Sequence, residues 1–180
     1  GKLHAGSLYK PAGFFRYEGG QKWTTLPLPN SGKRVEAMCV WNGQLFASSY
    51  DEAHIYRYDG QSWTDCGQVG PVENTQTYSF AVHHGRMYVG TWRTGKVFRY
   101  DGDNRWADCG RLGEELEVMG MLVHNGGMFA GSLPLAEVFR FRTDVDPRWD
   151  SLGRVDLTPD VMYRRAWTMA EYQGRLFVGT

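Results

Sequence analysis

One short segment occurs four times along the chain. Asp59-Gly60-Gln61-Ser62-Trp63-Thr64-Asp65-Cys66-Gly67 reappears as Asp101-Gly102-Asp103-Asn104-Arg105-Trp106-Ala107-Asp108-Cys109-Gly110. Looser copies run from Glu18-Gly19-Gly20 to Trp23, and from Thr143 to Trp149 and Gly153. The four tryptophans fall 40, 43 and 43 residues apart. A fixed period of roughly 40–50 residues marks an array of supersecondary units, each of which buries its faces only by stacking on its neighbours. What recurs in every copy is scaffold; what differs at equivalent positions is where a function would sit.

Each unit reads as four short strands. Between Val35 and Val69, Ala37-Met38-Cys39-Val40-Trp41 is an apolar run, followed by Asn42-Gly43. That dipeptide is a strong hairpin signal because both residues tolerate positive φ. Gln44-Leu45-Phe46-Ala47-Ser48 is a second strand, and His54-Ile55-Tyr56-Arg57-Tyr58 a third, with aromatics at alternate positions. Asp59-Gly60 turns the chain into a fourth, Ser62-Trp63-Thr64-Asp65-Cys66. The first two strands of other units are almost continuously apolar, as in Met87-Tyr88-Val89-Gly90 and Met128-Phe129-Ala130-Gly131. Such runs suit a sheet covered on both faces. Large residues alternating with Gly, Ala and Ser suit crowding near a radial axis. The expectation is an all-β chain, a β-propeller of about four four-stranded antiparallel blades. The blades fall at approximately 1–30, 35–69, 77–113 and 118–153, with a terminal hairpin at 166–180.

The repeats resemble those of the kelch family of propellers. An aromatic ends the third strand, an Asp-Gly-like turn follows, and a Trp comes five or six residues on: Tyr17 to Trp23, Tyr58 to Trp63, Tyr100 to Trp106. Kelch repeats usually end the second strand with a double glycine, where this chain has Gly6-Ser7, Ser48-Ser49, Gly90-Thr91, Gly131-Ser132 and Gly179-Thr180. The resemblance implies a fold. Its members include protein-binding scaffolds, carbohydrate-active oxidases and sugar-binding proteins, so it narrows function only loosely.

The second-strand motif occurs five times, the third and fourth strands four times. Three outcomes are open: a four-bladed ring with one redundant strand displaced, a homodimer in which two chains share blades, or a section of a five- to seven-bladed propeller. The longest-ring reading is preferred, because both ends cut through the repeat.

Charge excludes one class of partner. The 20 Lys and Arg balance 20 Asp and Glu with no basic stripe, so nucleic-acid binding driven by phosphate contacts has no support. No apolar run approaches the ~18 residues that suggest a membrane span. Three cysteines, Cys39, Cys66 and Cys109, lack the spacing of a disulfide framework and read as small buried hydrophobes.

In a blade, the Asn-Gly and Asp-Gly hairpins lie on one side and the variable connections on the other. Rigid scaffolds present binding groups on such variable loops. Tyr9 and Lys10, Tyr50 to His54, Trp92 to Lys96, Arg34 and Glu36, Gln76 and Tyr78, Glu114 to Glu117, and Tyr163 to Trp167 all fall there. The candidate ligand-binding residues are Tyr50, Asp51, Trp92, Arg93, Arg164 and Trp167. Aromatic faces with carboxylates and Arg suit a polar ligand such as a carbohydrate, or a protein loop. No catalytic motif is present: no nucleophile elbow, no phosphate-cradling glycine loop, no catalytic carboxylate pair at informative spacing. His83 and His124 hold equivalent positions, but Trp41 and Tyr172 stand in the other copies, so a metal set is incomplete. No cofactor is expected.

The leading expectation is a non-enzymatic recognition module. A carbohydrate-binding or carbohydrate-active domain is the alternative, and a purely structural scaffold the third. A deep pocket with convergent ionisable groups would favour chemistry; a shallow rim would favour binding.

Overall fold

A computed structural model describes residues 1–9 and 11–180. Lys10, one of the connection residues named above, lies outside the described residues. Among the described residues the chain is all-β apart from a single 3₁₀ turn at Pro29–Ser31. No helix among the described residues is long and apolar enough to cross a membrane.

The strands run as successive antiparallel meanders. The first sheet is β1 (His4–Ser7), β2 (Gly13–Gly19) and β3 (Lys22–Leu26), in that order. The second is β4 (Val35–Trp41), β5 (Gln44–Ser49), β6 (His54–Tyr58) and β7 (Trp63–Gln68). Two further meanders follow: β8 (Gln76–His83), β9 (Arg86–Trp92), β10 (Lys96–Tyr100) and β11 (Trp106–Arg111), then β12 (Glu117–His124), β13 (Gly127–Leu133), β14 (Glu137–Thr143) and β15 (Arg148–Arg154). These two join into one eight-stranded, curled sheet through a pairing of Glu117 with Trp92. The hairpin β16 (Thr168–Tyr172) and β17 (Arg175–Gly179) forms a sheet of its own. Leu3 to Ser7 and Leu176 to Thr180 therefore sit in different sheets, with no pairing between β1 and β17 among the described residues.

The first hairpin of each repeat shows why its sequence turns there. Asn42 and Gly43 have φ of 48° and 73°, as a two-residue turn of the primed type requires. His84-Gly85, Asn125-Gly126 and Gln173-Gly174 adopt the same pair of positive φ values, so the glycine is the constant and the first residue varies. β4 lies against β8, β8 against β12, and β12 against β16.

Burial follows the apolar runs. Strands β5, β9 and β13 are buried almost without interruption, because each is covered on both faces. One cluster, with Phe46, Ile55, Val69, Met87, Val89 and Phe98, fills the space between the second and third meanders. Another, with Tyr88, Val97, Leu112, Val118, Met128 and Phe139, fills the space between the third and fourth. The small residues in these runs admit the neighbouring sheet: a Cβ on Gly90 would lie 2.6 Å from Cγ1 of Val118.

The recurring tryptophans hold neighbours together. Nε1–H of Trp63 donates to the carbonyl of Pro27 at 2.8 Å, that of Trp106 to Cys66 at 2.9 Å, and that of Trp149 to Cys109 at 2.8 Å. Each bond crosses from one meander to the preceding one. Inner strands are tied the other way: Trp41 Nε1 donates to Gly85 O at 2.9 Å, and His83 Nε2 meets Gly126 O at 3.0 Å. His124 Nδ1 lies 2.8 Å from Glu171 Oε2. The two equivalent histidines are thus linking groups between adjacent units, a role shared with Trp41. The recurring aspartates close local turns: Asp65 and Asp108 accept the N–H of Gly67 and Gly110, two residues on, at 2.8 and 2.9 Å. An arginine stands on the third strand of each repeat, Arg16, Arg57, Arg99 and Arg140; Arg16 pairs with Glu18 at 2.6 Å and Arg99 with Asp101 at 2.7 Å, while Arg140 lies over the Phe129 ring. Cys66 and Cys109 are buried and all three thiols are free.

Candidate binding cleft

The hairpin glycines give a common frame for the opposite ends of the strands. Seven residues before Gly43, Gly85, Gly126 and Gly174 stand Glu36, Tyr78, Met119 and Trp167. Nine residues before stand Arg34, Gln76, Glu117 and Arg165. Seven residues after the first three glycines stand Tyr50, Trp92 and Leu133. Residues two apart on a strand share a face. Equivalent positions in neighbouring meanders therefore converge on one concave region.

The largest cavity there, about 490 Å³, is lined by Tyr50, Gln76, Tyr78, Trp92, Arg93, Leu116, Glu117, Leu133, Tyr163 and Arg165. A second, of about 210 Å³, shares Tyr50, Tyr78, Glu117 and Arg165 with it and adds Leu8, Tyr9, Glu36, Met119 and Trp167. A third, of about 320 Å³, continues past Glu36, Tyr78, Met119 and Trp167 to Ser79, Gly120 and Met121. Together they make one cleft that runs along the ends of β4, β8 and β12 and the chain entering β16.

Aromatic rings form much of its lining. The Tyr50 and Tyr78 rings meet edge to face, with centroids 6.2 Å apart. Three guanidinium groups lie over rings: Arg34 over Tyr50 at 4.3 Å, Arg93 over Trp92 at 5.0 Å and Arg165 over Trp167 at 5.5 Å. Arg34 is fixed from the other side by Asp51. Its Nη2 lies 2.6 Å from Oδ1 and its Nε 3.0 Å from Oδ2, while its backbone N–H also donates to Oδ2 at 3.0 Å. This bidentate pair holds the Asp51 carboxyl below its ordinary range.

Two carboxylates, Glu36 and Glu117, line it as well. Glu117 is only 6% exposed. Burial pushes its carboxyl up to about 7; the neighbouring Glu36 charge adds to the rise, while Tyr78 and Arg165 oppose it. Glu36 is also raised by burial, against the pull of Arg34, and its Oε2 is buried without a hydrogen-bond partner. The Tyr78 hydroxyl donates to Gln76 Oε1, and burial, with Glu117 beside it, raises its own pKa. No ion pair involves Glu36 or Glu117 among the described residues.

The six residues singled out from the sequence divide three ways. Tyr50, Trp92 and Arg93 line the largest cavity, and Trp167, 52% exposed, lines the two adjoining ones. Asp51 lines none of them and is engaged with Arg34. Arg164 turns away: its Nε donates to Thr158 O at 2.9 Å, and its neighbour Arg165 faces the cleft. A one-residue step along an extended segment reverses the side chain, which separates these two arginines. Tyr78, Glu36, Glu117 and Met119 belong to the cleft without having been among the six. Counting back from each hairpin glycine would have found them.

No protein-family model and no curated protein sequence matches the chain. Solved structures do resemble it. The extracellular domain of BT4673 from B. thetaiotaomicron superposes with a TM-score of 0.73 at 14% identity, over 99% of this chain and 25% of that one. The chain thus spans a quarter of that domain's length. A catalytically inactive virginiamycin B lyase from Staphylococcus aureus, with quinupristin, gives 0.69 at 9% identity, over 96% of this chain and 61% of the lyase. YCF48 bound to D1 peptide gives 0.62 at 13% identity, over 97% and 57%. At these identities the likeness is one of fold: curled antiparallel sheets of the propeller type.

Proposed function

We propose that this chain is a non-enzymatic recognition module that binds a segment of another protein in the cleft described above. The single observation that carries the reading is convergence. Side chains from equivalent positions in four successive repeats, aromatic, acidic and guanidinium together, face one cavity of a size that ligand sites occupy. Aromatic side chains with few rotatable bonds are the residues on which interfaces concentrate their binding energy. One of the similar structures, YCF48, holds a peptide, which agrees with the reading. We take the meanders as four-stranded blades with kelch-like repeats, and the whole as a section of a larger ring, since no pairing joins the first and last sheets among the described residues.

The test is selection of peptides from a random displayed library on the immobilised chain, followed by Tyr50→Ala and Trp92→Ala. The expected result is a set of peptides whose binding both variants abolish while their unfolding midpoints stay near that of the parent. Failure to select peptides, or peptides indifferent to both variants, overturns the reading.

One observation favours a second reading, a carbohydrate-active site. Glu117 stays partly protonated near neutrality beside the raised Glu36, which is the arrangement acid–base chemistry on a sugar would use. Binding on a glycan array, with cleavage lost in Glu117→Gln, would favour it over peptide recognition.

A further inference from the structure

Arg34 shows what a stacked guanidinium of this cleft does with its open edge. It lies over the Tyr50 ring at 4.3 Å, while its Nη2 and Nε fork onto the Asp51 carboxylate at 2.6 and 3.0 Å. Stacking uses the face of the plane and leaves the N–H edge for a planar acceptor. Arg165 holds the equivalent position, nine residues before its hairpin glycine, and lies over the Trp167 ring at 5.5 Å. Arg93 lies over Trp92 at 5.0 Å. Both line the largest cavity, and among the described residues neither side chain makes a hydrogen bond or an ion pair. Other donors of that lining are open as well: the Trp92 indole N–H and the Tyr50 and Tyr163 hydroxyls have no partner among the described residues. Its charged side chains are these two guanidinium groups and one carboxyl, Glu117, which is protonated in part near neutrality.

We propose that the cleft receives one carboxylate, the end of an acidic side chain of the bound segment, on the N–H edge of Arg165, with Arg93 as the second cation. The proposal rests on the recognition reading above and names the group that is recognised. A cation would meet both arginines, whereas an acceptor with one negative charge meets unpaired donors of the complementary sign. A carboxylate is planar and matches the guanidinium fork, as Asp51 does on Arg34. A phosphoryl group would bring a second negative charge toward Glu117 and Glu36. The apolar stem of an acidic side chain can lie against Leu116 and Leu133, which share the lining.

Glu117 gives the interaction a signature. The groups that share its cavities are Gln76 and Tyr78 from β8, Glu36 from β4, Tyr50 after β5, Arg93 after β9, and Tyr163 and Arg165 ahead of β16. The ionised form of Glu117 repels an incoming carboxylate and the protonated form does not. Binding therefore weakens as pH rises through neutrality and Glu117 gives up its proton.

The probe is a peptide with both ends blocked, acetyl-Gly-Ser-Glu-Ser-Gly-amide, titrated into ¹⁵N-labelled protein and followed at the indole resonances of Trp92 and Trp167. The expected result is saturable binding at about pH 6 that weakens at least about tenfold when glutamine replaces the peptide's glutamate, and likewise in Arg165→Gln. Arg93→Gln weakens it less. Both arginines are exposed, so these variants keep the fold. The parent binds more weakly at about pH 8 than at about pH 6, and Glu117→Gln removes that difference. The proposal is overturned by equal binding of the glutamine peptide, by no effect of Arg165→Gln, by equal binding at the two pH values, or by no binding of the glutamate peptide. Tighter binding of a phosphoserine peptide, or of a glutamine peptide with a free C-terminal carboxylate, overturns it too. Library-selected peptides that lack an acidic residue yet depend on Trp92 would overturn it and leave the recognition reading standing. Selected peptides that ignore Tyr50→Ala and Trp92→Ala would remove that reading as well.

Discussion

The indole of Trp106 reaches back across a sheet boundary to the carbonyl of Cys66, 40 residues earlier, at 2.9 Å. Trp149 makes the same bond to Cys109, and the donor and acceptor positions repeat with the sequence. The most conspicuous repeated residue is therefore a staple between units. Trp106→Phe keeps most of the ring's packing and removes the donor. It should lower unfolding free energy by about 1–2 kcal/mol in urea titration, and Trp106→Ala by about 3–5 kcal/mol. Equal losses for Phe and Ala would show that the bond, and not the packing, is what matters.

Gly90 allows β9 to approach the neighbouring meander. An added Cβ would meet Val118 at 2.6 Å and the Ser79 hydroxyl at 2.8 Å. Gly90→Ala should destabilise by about 1–3 kcal/mol through overpacking, measured as a lower urea midpoint at unchanged slope. A neutral substitution would mean that the third and fourth meanders are not packed as described.

Asp51 serves Arg34 and, through it, the position of Tyr50. Asp51→Asn should cost about 1 kcal/mol of stability and weaken peptide binding only modestly, because its carboxylate does not face the cavity. Since the paired carboxyl titrates below its ordinary value, its contribution is present above about pH 4 and is lost as pH falls further. Loss of binding as large as that in Trp92→Ala would make Asp51 a contact residue.

Glu117 works in the opposite sense. Its carboxyl is raised from 4.5 to about 7 on folding, so its protonated form is the one the fold prefers. Stability is greatest below about pH 4.5 with respect to this group and falls as pH rises to about 7, by on the order of 3 kcal/mol. Glu36, raised in the same direction, adds to the slope. Chemical unfolding between about pH 5 and 7 should show this decline in the parent and a flatter profile in Glu117→Gln. Identical profiles would mean that Glu117 is not desolvated.

Much of this architecture can be read in the chain, and the reasons are local. Asn42-Gly43 sets its own turn, and Met87-Tyr88-Val89-Gly90 advertises a strand covered on both faces. The cleft is less legible because it is built across repeats. Glu36, Tyr78 and Glu117 belong to three different meanders, and no contiguous stretch brings them together. Burial of Glu117 cannot be told from that of Glu114, which is 95% exposed three residues earlier in an equally acidic run. Arg164 and Arg165 are alike in sequence, and only the alternation of the extended backbone assigns one to Thr158 and the other to the cleft. Asp51 looks free until Arg34 is placed beside it.

The central claim is that the cleft lined by Tyr50, Trp92 and Glu117 is a binding surface and not a packing feature. The most direct measurement pairs the affinity of a library-selected peptide with the thermal midpoint of Trp92→Ala. The account predicts an affinity loss of about thirtyfold or more with a midpoint within about 4 °C of the parent. Unchanged affinity, or a collapse of the midpoint that carries binding down with it, would contradict it.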